Sequence, residues 1–167
     1  MLIFYLRNLT GVQRSVKADI HLGLSLAFIA GAMNAGGFLA VQQYTSHMTG
    51  IVSSMADGLA IGNFKLVLAS IGSMVCFIVG AGFTELMVNW ARGKHLQSEY
   101  ALPLVFEAVL LVGFGMLGDK LHHHMGLFVS ITVMLLCFLM GLQNAIITRI
   151  SRAVIRTTHM TGIVTDI

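Results

Sequence analysis

Two octapeptides carry the side chains in this sequence best suited to chemistry. Thr45-Ser46-His47-Met48-Thr49-Gly50-Ile51-Val52 returns as Thr157-Thr158-His159-Met160-Thr161-Gly162-Ile163-Val164, differing at one position in eight. The imidazoles of His47 and His159 are suited to relaying protons. The hydroxyls of Thr45, Thr49, Thr157 and Thr161 are placed to cap a helix N-terminus. Gly50 and Gly162 permit close backbone approach, and free N–H groups beside them offer a mild anion site. Upstream of each copy lies a Gly-x-x-Asn-Ala element, at residues 31–35 and 141–145. Its amides, Asn34 and Asn144, can both donate and accept a hydrogen bond. Plainer readings stand beside these: a capped short helix with an interfacial imidazole, and asparagines that only bond helix to helix. A cap, however, needs one Ser or Thr, and here a whole motif recurs. Paired polar motifs in corresponding halves of an apolar chain point to a site where two membrane repeats meet.

Other titratable residues are weaker candidates. Asp57 is either an intramembrane carboxylate, functional by default, or a solvated group on an interfacial helix. Glu85 and Glu107 lie towards span ends, where snorkelling to the interface is expected. His122, His123 and His124 follow one another in a short loop and complete no zinc pattern. Cys76 and Cys137 sit inside apolar tracts and read as buried small hydrophobes, with no disulfide framework. No Walker loop, dinucleotide fingerprint or nucleophile elbow is present. Catalytic, metal and cofactor assignments are therefore none, and an enzyme is not expected.

The elements that must position these residues follow from composition. The 167 residues are 56% hydrophobic and 10% charged, with a mean hydropathy of +0.85. Soluble domains carry about 25% charged residues, so an integral membrane protein is expected. The ten Lys and Arg are spread thinly, with neither the basic cluster nor the aromatics of a nucleic-acid binder. The N-terminus lacks the pattern of a cleaved signal peptide. Four tracts, 20–41, 66–88, 101–118 and 125–147, approach the ~20 apolar residues of a transmembrane helix. In the first, Gly23, Ala27, Gly31 and Ala35 recur at a spacing of four, a stripe expected to admit a neighbouring backbone. Pro103 fits a helix's first turn.

A fifth segment, 47–63, decides the topology. If it crosses, the ten cationic residues divide five against five. If it does not, Arg7, Arg14, Lys17, Arg92, Lys94, Arg149, Arg152 and Arg156 share one face, with Lys65 and Lys120 opposite. The positive-inside rule selects the eight-to-two arrangement, a re-entrant or interfacial helix with the N-terminus cytoplasmic. The two Gly-x-x-Asn-Ala elements then lie on helices running in opposite directions, and the repeats become inverted. Asn34 and Asn144 are expected to meet near the midplane, in a polar pocket between the first and last spans. The second copy stops before the counterparts of two further spans. The small-residue face of the last span is accordingly expected to be bare or covered by another protomer.

Residues 31–39, Thr45 to Gly50, Gly141-Leu142-Gln143-Asn144-Ala145 and Arg156 to Gly162 together resemble the YoaK family, small bacterial membrane proteins of unknown function. Many of its members carry Asp in place of Asn34 and Asn in place of Ile51. The resemblance implies a bacterial inner-membrane location, about six spans and a C-terminus that runs further; it supplies no substrate. The expected fold is an all-α, polytopic transmembrane helical bundle with an inverted internal repeat, C-terminally incomplete. It forms one domain over 1–167, with repeat 1 at about 20–118 and the start of repeat 2 at about 125–167. The expected function is a small-solute transporter or channel. Its substrate-binding candidates are Asn34, Thr45, His47, Thr49, Gly50, Asn144, Thr157, His159, Thr161 and Gly162. The alternative is a non-transporting scaffold or assembly protein whose motifs only pack helices. The expected partners are the lipid bilayer, an unidentified small solute and, as an option, further copies of the chain, without nucleic acid.

Overall fold

The computed structural model describes residues 16–41, 45–96, 98–117 and 127–151. These form five helices: α1 (Val16–Val41), α2 (Met48–Ala60), α3 (Phe64–Gly93), α4 (Ala101–Leu117) and α5 (Leu127–Ile150). By length and composition, α1, α3 and α5 are each able to cross a membrane, while α4 is apolar but shorter. At 17 residues, α4 lies at the lower limit of spanning helices. Their outward faces are apolar, with Ile20, Leu24 and Phe28 on α1, Leu68, Val75 and Val79 on α3, and Val105, Val109 and Val112 on α4 all exposed. Such a surface suits lipid.

Helix α5 is the centre of the bundle, packed against α3, α1 and α4. Its contact with α3 is backbone on backbone. A Cβ at Gly80 would fall on the carbonyl oxygen of Phe138, and one at Gly141 on that of Phe77. Between these glycines Thr84 donates across the interface to the Leu142 carbonyl at 3.1 Å, in addition to the Gly80 carbonyl of its own helix. The rings of Phe83, Phe106 and Phe138, with centroids 5.0 to 6.4 Å apart, join α3, α4 and α5.

Two expectations are corrected here. The small face of α5 is not bare, because Gly141 lies against α3. Of the stripe on α1 only Gly23 is buried. Ala27, Gly31 and Ala35 are exposed, and a Cβ at Gly31 would meet nothing within 4 Å. Leu22, Leu26, Ala30 and Met33 face the core instead. These lie about 100° round the helix from the stripe, and burying branched side chains removes more apolar surface from water or lipid contact than a row of small ones.

Contact order along the helices gives their directions. Leu22 and Leu26 of α1 pack with Leu142 to Ile150 of α5, whereas Ala30 and Met33 pack with Leu136 to Met140. These helices are antiparallel. Gly72 faces Met134, Gly80 faces Phe138, and Glu85 pairs with Arg149, so α3 and α5 are parallel. Both α1 and α3 therefore cannot be joined by a further crossing helix, and α2, at 13 residues, is ~20 Å long against a hydrocarbon core of ~30 Å. As a result Lys17, Arg92, Lys94 and Arg149 gather at one end of the bundle and Lys65 at the other. This is the grouping that the charge count selects.

Candidate functional site

The course of the chain around α2 brings the first octapeptide into the bundle. Residues 45 and 46 lie back alongside α1: Asn34 Nδ2 donates to Ser46 Oγ at 2.6 Å, seven residues or ~10 Å below the end of α1. Thr45 is fully buried against Gly37. Helix α2 then starts deep, with Met48 and Ile51 packed against Cys76, Phe77, Val133 and Cys137. It ascends to Gly58, which meets Val67 and Leu66 near the start of α3. The short turn between α2 and α3 needs Gly62, whose φ of +71° is costly for other residues. Asn63 closes it by accepting from the Leu66 amide. Helix α2 does not run the length of the bundle: its N-terminus lies part-way along α1, α3 and α5, with His47 and Thr49 exposed, and its C-terminus is at the end that α1 reaches.

At that inner tip, His47 is the N-cap residue, without a side-chain capping bond. The sequence suggested threonine caps. Thr45 is instead drawn to α1 by the returning chain, and its Oγ1 has no partner among the described residues. Thr49 is exposed. The His47 ring folds over Gly50, where an added Cβ would stand 3.1 Å from Nδ1. Gly50 thus makes room for the imidazole. Next to it a cleft of about 250 Å³ opens between α2 and α3, lined by His47, Gly50, Ile51, Ser54, Leu66, Ala69, Ser70 and Ser73. It is smaller than the roughly 300–1,000 Å³ of drug-sized pockets and mixes hydroxyls and an imidazole with an apolar wall.

The second set of candidates falls differently. Asn144 donates to the Met140 carbonyl of its own helix at 2.9 Å. It lines an open groove whose walls are α3 and α5, with Phe77, Ala81, Glu85 and Thr148. That groove is not walled by α1, and Asn34 has its Nδ2 on Ser46 and its Oδ1 buried without a partner among the described residues. The structure brings together Asn34, Thr45, His47 and Gly50, and places Asn144 apart from them. Thr157, His159, Thr161 and Gly162 lie outside the described residues, as do His122 to His124. Asp57 is exposed near the α3 end of α2.

A model of proteins of unknown function, DUF1275, matches residues 22–167. The chain belongs to the DUF1275 family. No curated protein and no solved structure matches it. The DUF1275 match includes both octapeptides and all of α2 to α5.

Several polar residues of this DUF1275 bundle went unnoticed in the sequence or were misplaced. Gln143 is fully buried and donates through Nε2 to the Leu26 carbonyl of α1 at 3.1 Å. Its neighbour Asn144 drew attention because it recurs. Ser70 and Ser73 are buried on α3; their signal is a spacing of three on the helix that faces α2. Glu85 does not snorkel alone but pairs with Arg149 at 2.7 Å, and Arg149 also reaches Asn89. Glu107 is buried in the bundle, 3% exposed. Cys76 and Cys137 are free thiols, half-buried and buried.

The Asn34–Ser46 bond ties the returning chain to α1, so Asn34→Ala and Ser46→Ala should each loosen it. Such bonds contribute about 0.6 kcal/mol on average and up to ~1.7 kcal/mol. The expected outcome is a loss in that range for each single variant and no further loss for the double, measured by reversible unfolding in detergent. Additive losses would mean that the two side chains act separately.

Proposed function

We propose that this protein is an integral membrane transporter or channel for a small polar solute, with a pathway that passes the inner tip of α2. The supporting observation is the re-entrant course of α2, which holds a polar motif at the depth of apolar helices beside a hydroxyl-lined cleft. Irregular backbone at membrane depth is tolerated where it lines a cavity or is buried in protein. In the first turn of α2 the Met48 amide donates to the Ser46 carbonyl, while the Thr49 and Gly50 amides have no intrahelical partners and with His47, Ser54, Ser70 and Ser73 offer both donors and acceptors to a solute. The antiparallel course of α1 and α5, which carry the two Gly-x-x-Asn-Ala elements, is what an inverted repeat requires. On that reading residues 157–164 supply the matching tip from the other face. The clustering of Lys and Arg at one end makes that end, and the N-terminus, cytoplasmic. The likeness to the YoaK family favours a bacterial inner membrane.

The scaffold alternative also has an observation in its favour: Gly141 and Gln143 of the second element are committed to helix packing, against Phe77 and Leu26. Flux profiling separates the two. A deletion strain is compared with strains restored by the full-length gene, by His47→Ala with His159→Ala, and by Gly50→Ala. Restored uptake or efflux of at least one small solute is expected, lowered about tenfold, or about 1.4 kcal/mol in barrier, by the histidine pair. Gly50→Ala should act in the same direction by displacing the His47 ring. Identical flux profiles across all strains would leave the scaffold reading.

A further inference from the structure

Cys76 and Cys137 both lie in the contact between α3 and α5. On α3, Cys76 stands four residues after Gly72 and four before Gly80, so the three share one helix face. Gly72 lies against Met134, and Gly80 against the backbone of Phe138. On α5, Cys137 stands three residues after Met134 and four before Gly141, which lies against the backbone of Phe77. The two cysteines are therefore level, beside the glycines that let the backbones touch. They belong to one cluster, and their thiols are close enough to interact electrostatically. Cys137 is fully buried. Met48, the first residue of α2, packs on the same cluster with Ile51. Three sulfur-bearing side chains thus gather where the start of α2 meets the α3–α5 contact.

The cleft between α2 and α3 adjoins them. Its lining includes Ser73 and Ile51; Ser73 stands beside the Cys137 thiol, and Ile51 packs on the cysteine cluster. Exposed His47 lines the same cleft. Thiolate and thioether sulfur are soft donors suited to copper(I), and imidazole also ligates copper. Structural zinc sites take four ligands, and no group of three His, Cys, Asp or Glu able to hold a metal ion occurs among the described residues. Copper(I) needs no such set.

We infer that Cys76 and Cys137, with the Met48 thioether, bind a soft monovalent metal ion, copper(I) or silver(I), at the α3–α5 contact. On binding, the Cys137 thiol gives its proton to water and its sulfur bonds the ion. Cys76 and Met48 ligate as neutral groups, and no electron is transferred. One monovalent ion and one thiolate leave the site uncharged, as an apolar core requires. The Ser73 hydroxyl beside Cys137 is placed to donate to the thiolate. That this ion is the solute carried past the tip of α2 rests on the transporter reading; the binding site itself does not.

The test is titration of the full-length protein with copper(I), reduced and free of oxygen in lipid nanodiscs, against a chromogenic chelator. One ion per chain is expected. Cys76→Ser and Cys137→Ser should each weaken binding about tenfold or more, equivalent to about 1.4 kcal/mol, and Met48→Leu should weaken it less. Met116→Leu, at an exposed position on α4, should bind as the parent does. X-ray absorption of the loaded parent should show sulfur alone around the metal, a result that stands even where a serine variant fails to fold. Nitrogen ligands, unchanged affinity in the Cys76→Ala, Cys137→Ala double variant, or displacement of copper(I) by zinc(II) would each overturn the inference. Sulfur-bound copper(I) with identical flux profiles in all strains would reject transport and leave the site standing. Flux that depends on His47 without bound copper(I) would do the reverse.

Discussion

Gly80→Leu is expected to abolish the α3–α5 contact and with it the folded protein. Even a Cβ at Gly80 would fall on the carbonyl oxygen of Phe138, and the amide of Leu142 stands 3.1 Å away. These are main-chain atoms, which cannot rotate aside as a side chain does. In ordinary cores overpacking costs roughly 1–3 kcal/mol because side chains absorb part of the strain. Here the two helices must separate along the whole crossing, breaking the Thr84–Leu142 bond and opening Gly141 from Phe77. Gly80→Ala and Gly141→Ala should each cost about 1–3 kcal/mol, and the double variant less than the sum, since either one already parts the helices. Gly82→Ala, on the same helix but with nothing within 4 Å of its Cβ, should be tolerated. Thermal unfolding in detergent, with size-exclusion profiles, measures all five. If Gly80→Ala proves as stable as Gly82→Ala, close backbone approach is not what holds the bundle.

Much of this architecture was legible in the sequence, at the level at which apolar length dictates structure. The tract 66–88 announced a spanning helix because a run of apolar residues cannot be hidden any other way in a chain of this composition. Its true extent, Phe64–Gly93, was not legible at the C-terminal end. There Asn89, Arg92 and their neighbours are polar yet continue the helix, anchored by the Arg149–Asn89 and Arg92–Glu99 contacts. The non-crossing course of 47–63 came from charge, because its own composition fits either a thin span or a re-entrant turn. What periodicity cannot tell is which face meets which neighbour. Gly31 and Gly141 occupy matching places in a repeated element, but one is open and the other is pressed on a backbone. Glu107 shows the same limit. Its place in the tract suggested escape to the interface, and only the packed bundle shows that it is buried.

Labelling of single cysteines should place residues 16 and 93 on one side of the membrane and residue 61 on the other. In a Cys76→Ala, Cys137→Ala background, Val16→Cys, Ile61→Cys and Gly93→Cys put a thiol at the start of α1, between α2 and α3, and at the end of α3. All three positions are exposed. Because α1 and α3 both run the length of the bundle and α2 does not, Val16 and Gly93 must share an end. With a membrane-impermeant maleimide, both should react from the cytoplasmic face, as the gathering of Lys17, Arg92, Lys94 and Arg149 there requires. Ile61 should react only from the opposite face. The contrast is close to all or none, since the reagent does not cross hydrocarbon. A crossing α2 would put Val16 and Gly93 on different sides, whichever way the chain is inserted. That result would remove the antiparallel pairing of α1 with α5 and, with it, the basis for proposing a re-entrant tip and an inverted repeat.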